Sequence, residues 1–166
     1  MIVYHGSVLE IQTPDIKYSK AYLDFGKGFY TTSIATQAER WAIRKAGRYR
    51  DVTPRVNVYE LNDSFEEYKT LTFHEPDDDE AWLDFVCSCR EGKDECQKYD
   101  IIIGGVADDE VIRAVDFFRR GVWDKQRTLR ELKYFKRNDQ IVFVNQAILE
   151  KLLTFKFSYI PKERKC

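Results

Sequence analysis

Three short polar segments, each beside an apolar strand, hold the residues best suited to chemistry. In Tyr4-His5-Gly6-Ser7 an imidazole can hydrogen-bond a ribose hydroxyl, and a glycine lets a flat ligand approach backbone N–H and C=O groups. Segment 24–32, DFGKGFYTT, places two glycines around a lysine, and segment 138–140, NDQ, opens the apolar run IVFV. Taken singly, each is explained more simply as ordinary structure: a satisfied histidine, a glycine-rich turn and a turn before a strand.

The composition favours one folded domain over residues 1–166. Of the 166 residues, 43% are hydrophobic and 14% aromatic, which supplies large side chains for a core and for a ring-binding pocket. The 27 basic and 28 acidic side chains leave a net charge of −1, so any attraction to nucleic acid or an anionic membrane must be local. The basic segment 119–137 is explained either by a solvated helix face or by contact with an acidic macromolecule or a phosphate-bearing ligand.

Hydrophobic periodicity predicts short strands interspersed with helices, which is typical of an α+β domain. The predicted strands cover residues 2–5, 55–61, 100–103, 140–144 and 154–160, and the predicted helices cover 34–48, 79–90, 108–120, 128–135 and 146–153. The helix at 108–120 is the best marked, because acidic residues occupy its first turn and Arg119, Arg120 and Gly121 close it.

The sequence shows no sign of membrane insertion or export. Its longest uncharged apolar run, residues 101–107, is far shorter than the roughly 20 residues that span a bilayer. The start MIVYHG lacks the basic region, apolar core and cleavage site of a signal peptide. We therefore expect a cytoplasmic protein with no membrane partner.

The cysteines offer only a weak case for a metal site. Cys87, Cys89 and Cys96, with His74 upstream, supply zinc-type ligands, but the C-x-C-x6-C spacing is not a common zinc pairing. On a helix, Cys87 and Cys89 would point about 200 degrees apart. Buried or incidental thiols are therefore expected, and no metal cofactor.

Together the three polar segments resemble, in order and local chemistry, the motifs of the ADP-ribosyltransferase superfamily. This is the split-sheet fold shared by the diphtheria toxin catalytic domain and the poly(ADP-ribose) polymerases. YHGS and DFGKGFYTT resemble the polymerases' His-Gly strand and their Gly-Lys-Gly-Ile-Tyr-Phe stretch, and NDQIVFVNQAILEKLLTFKF resembles their catalytic strand and its continuation. AWLDFV and YDIIIGGVADD resemble stretches of an uncharacterised bacterial domain family in the same superfamily. The resemblance covers nearly the whole chain and implies a split β-sheet core with flanking helices.

The resemblance implies a site for the nicotinamide half of NAD. His5 would bond the ribose, the backbone of Gly6 would hold the carboxamide, and the ring would lie between Tyr30 and Trp41. The alternative for Trp41 is a core residue of an amphipathic helix. A polymerase serine that also bonds the carboxamide falls at Ala38. The candidates to replace that serine are Gln37, Thr31 and Thr32, and the residues expected to bind NAD are His5, Gly6, Ser7, Gly28, Tyr30, Thr31 and Trp41.

The third motif departs most from the superfamily, which usually carries a glutamate that bonds the ribose 2′-hydroxyl and stabilises an oxocarbenium-like transition state. Aligned on the polymerases, the position is Asp139; aligned on the arginine-specific toxins, it is Gln140. We favour Gln140, whose side chain abuts the Ile141 strand, and keep Asp139 as the alternative. The candidate catalytic residues are Gln140, His5, Tyr30 and Asp139.

The function expected from the resemblance is cleavage of the nicotinamide N-glycosidic bond of NAD, with ADP-ribose passed to a protein, a nucleic acid or water. By family analogy, such a protein would suit a bacterial toxin or phage-defence effector with a protein antitoxin as partner. The competing hypothesis is a non-catalytic NAD- or nucleotide-binding module that kept the cleft. A third hypothesis is a related enzyme acting on RNA phosphates, but such enzymes use a different His/Arg pattern that this sequence does not let us assign.

Overall fold

The computed structural model describes residues 1–74, 78–106, 109–133 and 138–162, and it shows an α+β architecture. The strands are β1 (Ile2–Ser7), β2 (Phe29–Thr31), β3 (Arg55–Leu61), β4 (Thr70–Thr72), β5 (Ile101–Val106), β6 (Asn138–Phe143) and β7 (Leu153–Tyr159). The helices are α1 (Ala35–Ala46), α2 (Asp79–Arg90), α3 (Asp109–Arg119), α4 (Lys125–Leu132) and α5 (Gln146–Leu152), with 3-10 turns at Ile16–Tyr18 and Asp94–Lys98.

The strands form two sheets. Sheet A has the order β1-β3-β7 and is antiparallel throughout, with an irregularity in register between Val58 and Tyr59. Sheet B has the order β2-β6-β5-β4, in which only the short β4–β5 pair is parallel. The predicted α+β class is therefore confirmed, with two mostly antiparallel sheets and five helices in the described part of the chain.

Alternate residues of the central strands point to opposite faces of sheet B and pack into two separate hydrophobic cores. On β6, Ile141 and Phe143 join the core between the sheets, whereas Val142 points to the other face and packs beneath α2, α3 and α4. On the outer side of sheet A, α1 lays Ala38 and Ala42 against Val56. Sheet B is thus covered on both faces, which explains why β6 is a continuous apolar run rather than an alternating one.

Two strands were missed by the sequence prediction. β2 and β4 are only three residues long, too short for a period of two to be recognised, and they exist because β6 and β5 provide partners. One helix start was also wrong: α4 begins at Lys125 rather than at residue 128, because the Asp124 carboxylate accepts from Arg127 N at 2.7 Å and caps the helix earlier. The predicted end of that helix, residues 134–135, lies outside the described residues.

The structure also bears on the expected role of the basic segment 119–137 and on the expected absence of a membrane partner. Lys125, in the basic segment, forms ion pairs with Glu80 at 3.1 Å and Asp84 at 2.9 Å, so it serves to join α4 to α2. Across the described ranges, no helix combines the length and the apolar character needed to cross a membrane.

Candidate functional site at the junction of the two sheets

The two sheets meet where β1 passes β2. In the described residues these strands are joined by an isolated bridge, in which Tyr4 N donates to Thr32 O at 2.8 Å and Thr32 N donates to Tyr4 O at 3.0 Å. Thr31 pairs with Ile141 on β6, one position past Gln140. The first, second and third polar segments of the sequence therefore converge at this junction.

His5 is fixed in one tautomer at the junction. Its Nδ1 lies 2.6 Å from the backbone carbonyl oxygen of Tyr30, and because a carbonyl only accepts, Nδ1 carries the hydrogen and Nε2 is left as an acceptor. The ring stacks on Phe29 with a centroid distance of 4.5 Å. Burial lowers the pKa of His5 from 6.5 to about 4, with a contribution from the charge of Lys45 and opposed by the bond to Tyr30. His5 is therefore neutral at physiological pH.

Gly6 allows α1 to lie directly on β1. A Cβ at this position would collide with the backbone carbonyl oxygen of Ala38 and would stand 2.9 Å from Ala42 N and 3.0 Å from Trp41 Cβ. The glycine is therefore required by helix packing. The same contact brings the first turns of α1, including Trp41, to the His5 end of the junction.

Tyr30 lies on the opposite face of β2 from Phe29, on which His5 stacks. Its ring packs against the core beneath the helices, and its hydroxyl donates to Gly26 O at 2.6 Å and accepts from Phe25 N at 3.1 Å. Burial raises the pKa of Tyr30 well above its usual range, with a contribution from the nearby Asp24, so the hydroxyl stays protonated. Tyr30 thus anchors the glycine-rich loop.

Trp41 is 39% exposed and so is not a core residue of α1. Its ring is covered in part by the Arg44 guanidinium, 5.2 Å from the ring centroid. Among the described residues, the Tyr30 and Trp41 rings do not contact each other, so the nicotinamide sandwich stays a prediction. Part of the Trp41 side chain is therefore open to solvent.

Asp139 lies at the edge of the junction with its carboxylate held by the β2–α1 connection. Oδ1 accepts from Thr32 Oγ1 at 2.9 Å, and Oδ2 accepts from Ser33 N at 3.1 Å. The backbone oxygen of Asp139 accepts from Gln37 Nε2 at 3.1 Å. The carboxylate is half-buried, so it is both oriented and accessible.

Gln37 carries an unsatisfied acceptor beside Asp139. The residue is 4% exposed and its Oε1 is buried without a hydrogen-bond partner among the described residues. Leaving such an acceptor unpaired costs about 1–3 kcal/mol. Sequence reasoning offered Gln37 only as a substitute for the missing serine; nothing in the sequence shows that its Nε2 is used and its Oε1 is not.

Gln140 has a different environment from Asp139, because adjacent residues of a strand point to opposite faces. Gln140 is 3% exposed and lies on the same face of β6 as Val142. Its Nε2 donates to Gly105 O at 3.3 Å, and the same oxygen accepts from Trp82 Nε1 at 3.0 Å. Gln140 thus ties β6 to β5 within the sheet.

The remaining expected NAD-binding residues have partners within the fold. Thr31 Oγ1 donates to Ile141 O at 2.9 Å, Ser7 Oγ accepts from Leu9 N at 3.4 Å, and a Cβ on Gly28 would stand 2.6 Å from Val142 Cγ1. Their expected role in NAD binding therefore rests on the resemblance alone. The side chain of Asn138 is outside the described residues.

The three described cysteines are free and buried, as expected. Cys96 Sγ packs against Gly26 in the glycine-rich loop, and a hydrogen bond from the Cys89 thiol lowers the pKa of Cys96. His74 is exposed, and no group of three or more potential metal ligands was found in the parts of the chain that the structure describes. Cys96 therefore helps to pack the loop that Tyr30 anchors.

These features define an α+β protein whose two sheets meet at a junction that brings His5 and Asp139 to the Tyr4–Thr32 bridge. The chain belongs to the family described as protein of unknown function (DUF3990), whose model matches residues 1–155. No curated protein and no solved structure matches the chain.

Proposed function

We propose that this protein is an NAD-dependent ADP-ribosyltransferase or NAD glycohydrolase that cleaves the nicotinamide N-glycosidic bond at the sheet junction. The observation that carries the proposal is the convergence there of three segments far apart in sequence, which are those that resemble the superfamily motifs. The Tyr4–Thr32 bridge joins the first to the second, and the bond from Thr32 Oγ1 to Asp139 joins the second to the third.

The polar groups of the junction suit the chemistry of a ribosylated carboxamide. His5 Nε2, Gln37 Oε1 and the Asp139 carboxylate are all acceptors. Nicotinamide riboside presents donors, namely two ribose hydroxyls and a carboxamide NH2 group. Such a ligand could donate to His5 Nε2 and to the Asp139 carboxylate, and a ligand without donors would leave His5 Nε2 unpaired.

His5 would orient the ribose rather than move a proton. With its pKa near 4, the imidazole is uncharged during turnover at neutral pH, and Nε2 can accept a hydrogen bond from a ribose hydroxyl. Orientation of this kind is sufficient because the leaving group is a cationic pyridinium ring that departs as neutral nicotinamide without being protonated.

Asp139 is the better placed of the two candidates for stabilising the transition state. As the C1′–N bond breaks, nicotinamide keeps the bonding electron pair and positive charge develops on the ribose, which a nearby carboxylate stabilises. Asp139 is accessible and charged, whereas Gln140 is buried and neutral. We therefore propose Asp139 for this role and assign Gln140 to holding the strand beneath it.

The acceptor of ADP-ribose is a macromolecule or water. A lone pair of the acceptor forms the new bond to C1′, and the displaced proton passes to solvent. A role as a cytoplasmic bacterial toxin neutralised by a protein antitoxin follows from family analogy alone and forms part of the proposal.

A second function is favoured by one observation. In the resemblance, an aspartate one methylene shorter stands where the superfamily has a glutamate, which would hold the carboxylate farther from the reacting carbon. A protein with the same acceptors and too little transition-state stabilisation would bind NAD without cleaving it.

Incubating the purified protein with NAD, with and without cell lysate, tests the proposal. Free nicotinamide without lysate identifies a glycohydrolase, and ADP-ribose attached to lysate macromolecules identifies a transferase. NAD binding with no nicotinamide under either condition establishes the binding module, and no NAD binding at all contradicts the proposal.

A further inference from the structure

Two exposed tyrosines and a lysine lie in the connection between β1 and β2, and two further cations lie at and just after the end of α1. Tyr18 and Tyr22, in the connection between β1 and β2, are 81% and 68% exposed. Lys20 lies between them, and the exposed side chains of Lys45 and Arg48 lie at the end of α1. We call these five residues the basic–aromatic surface.

Hydrogen bonds and ring contacts fix the connection beside the candidate site. Ser19 Oγ accepts from Gly28 N at 3.1 Å, and the residue after Gly28 is Phe29, on which the His5 ring stacks. Ser19, the chain neighbour of Lys20, is therefore held beside the start of β2.

The residues that α1 and its end contribute to the surface, Lys45 and Arg48, also lie near β1. α1 packs on β1 at Gly6, and Lys45 follows Trp41 by four residues, which puts both on one flank of the helix. Arg48 continues the turn through a bond from its N–H to Lys45 O at 3.3 Å. Burial lowers the pKa of Lys45, and the charges of Lys20 and Arg48 lower it further, in keeping with their proximity.

The cations of this surface differ from other basic residues in their ion pairing. In the described ranges neither Lys20, Lys45 nor Arg48 forms an ion pair. Elsewhere on the protein, Lys156 pairs with Glu60 at 2.8 Å, and Lys125 bridges two carboxylates. Like charges repel one another, and an anionic ligand bound among them relieves that repulsion. Because the net charge of the whole chain is −1, the attraction for an anion is local to this surface.

We propose that the basic–aromatic surface binds single-stranded nucleic acid, and that the bound strand is the acceptor of ADP-ribose from the adjoining junction. Cations interleaved with exposed rings match a strand in which phosphates alternate with unstacked bases. A duplex hides the base faces, and an acidic peptide supplies charge without rings to stack.

The acceptor part of this inference rests on the proposed function. A nitrogen or oxygen lone pair of the strand forms the bond to C1′ of the NAD ribose, nicotinamide leaves with the electrons of its glycosidic bond, and the acceptor loses a proton to solvent. The binding part is independent of NAD.

The experiment measures fluorescence anisotropy of labelled single-stranded DNA and RNA oligonucleotides, without NAD, at several salt concentrations. The variants are the pair Lys20→Glu with Arg48→Glu, and the pair Tyr18→Ala with Tyr22→Ala. Their controls are Lys69→Glu with Lys151→Glu, which makes the same charge change at exposed lysines outside the surface, and Tyr18→Phe with Tyr22→Phe, which keeps both rings.

We expect the charge-reversed pair to weaken binding about tenfold or more and to reduce the salt dependence, because the slope falls by roughly one for each phosphate that is no longer neutralised. The alanine pair should weaken binding about tenfold or more, and both controls should bind like the unmodified protein. Absence of oligonucleotide binding, or equal losses in the controls, overturns the inference. So does a charge-reversed pair that loses affinity for NAD and keeps its affinity for the oligonucleotide, because its cations would then serve the NAD phosphates.

Addition of labelled NAD completes the test. ADP-ribose on the oligonucleotide, absent in the charge-reversed pair, supports the acceptor assignment, whereas label found only on protein overturns it. If oligonucleotide binding responds to the variants but nicotinamide is never released, the proposed enzyme activity is contradicted. The nucleic-acid-binding surface is then still supported.

Discussion

The imidazole of His5 donates from Nδ1 to the backbone carbonyl oxygen of Tyr30, 2.6 Å away on the neighbouring strand. This bond selects the tautomer whose Nε2 is an acceptor, and burial keeps the ring neutral. The first and second polar segments are thus joined through the Tyr30 backbone and not through its side chain.

His5→Ala should weaken NAD binding or turnover by roughly 1–3 kcal/mol, the cost of losing a hydrogen bond to the ribose. Calorimetry and nicotinamide release would measure the two effects. Because the pKa of His5 is about 4, turnover of the unmodified protein should show no His5-dependent ionisation near 6.5. An ionisation there that disappears in the variant would show that His5 acts as a base.

The partly buried His5 should make the fold sensitive to acid. Its folded pKa, about 4, is below the unfolded value of 6.5, so its neutral form is preferred in the folded state and the full stability is present above 6.5. As the pH falls from 6.5 towards 4, the free energy of unfolding should decrease by up to about 1.4 kcal/mol per pH unit through this residue. Urea titrations of the protein and of His5→Asn should show a shallower loss in the variant, and parallel losses would contradict the assignment.

Trp41→Ala should reduce NAD affinity about tenfold or more, because stacking on an aromatic ring contributes on the order of 1–3 kcal/mol. The residue is 39% exposed, so the melting temperature should change little. Trp41→Phe, which retains a ring, should keep most of the affinity. A variant that unfolds the protein, with no separate loss of binding in Trp41→Phe, would make Trp41 a structural residue.

Substitutions of Asp139 and of Gln140 should have different effects: the first on turnover and the second on stability. Asp139→Asn should abolish most nicotinamide release with a smaller effect on binding, because its charge acts mainly in the transition state. Gln140→Ala should lower stability through loss of the bond to Gly105 O. If Gln140→Ala abolishes turnover in a stable protein and Asp139→Asn is nearly silent, Gln140 is the catalytic position, and Gln140→Glu should then raise glycohydrolase activity.

Gly6→Ala should destabilise the protein by about 1–3 kcal/mol, because the added methyl group collides with backbone atoms of α1 that can yield only by moving the helix. Gly47→Ala is the matched control, since a Cβ there would meet nothing closer than 3.5 Å. Chemical denaturation of both variants gives the comparison, and equal stabilities would show that α1 does not approach β1 as closely as described.

Local patterns in the sequence determined most of the secondary structure. β3 covers the predicted residues 55–61, and the helix predicted at 79–90 is α2, because each carries its own apolar period and needs no distant information. The three polar segments at the ends of apolar runs also stood out locally, and they do converge. The class of fold followed from the order of these elements.

Tertiary structure alone decided what the converging residues can do. β2 exists only because β6 pairs with it, and that register sends Phe29 and Tyr30 to opposite faces, so His5 meets the Phe29 ring and the Tyr30 backbone. The unsatisfied oxygen of Gln37 and the neutrality of His5 likewise depend on neighbours remote in sequence. Hydrogen bonding, desolvation and steric contact are set by which atoms adjoin in space, and a pattern of residue types along one chain does not contain that information.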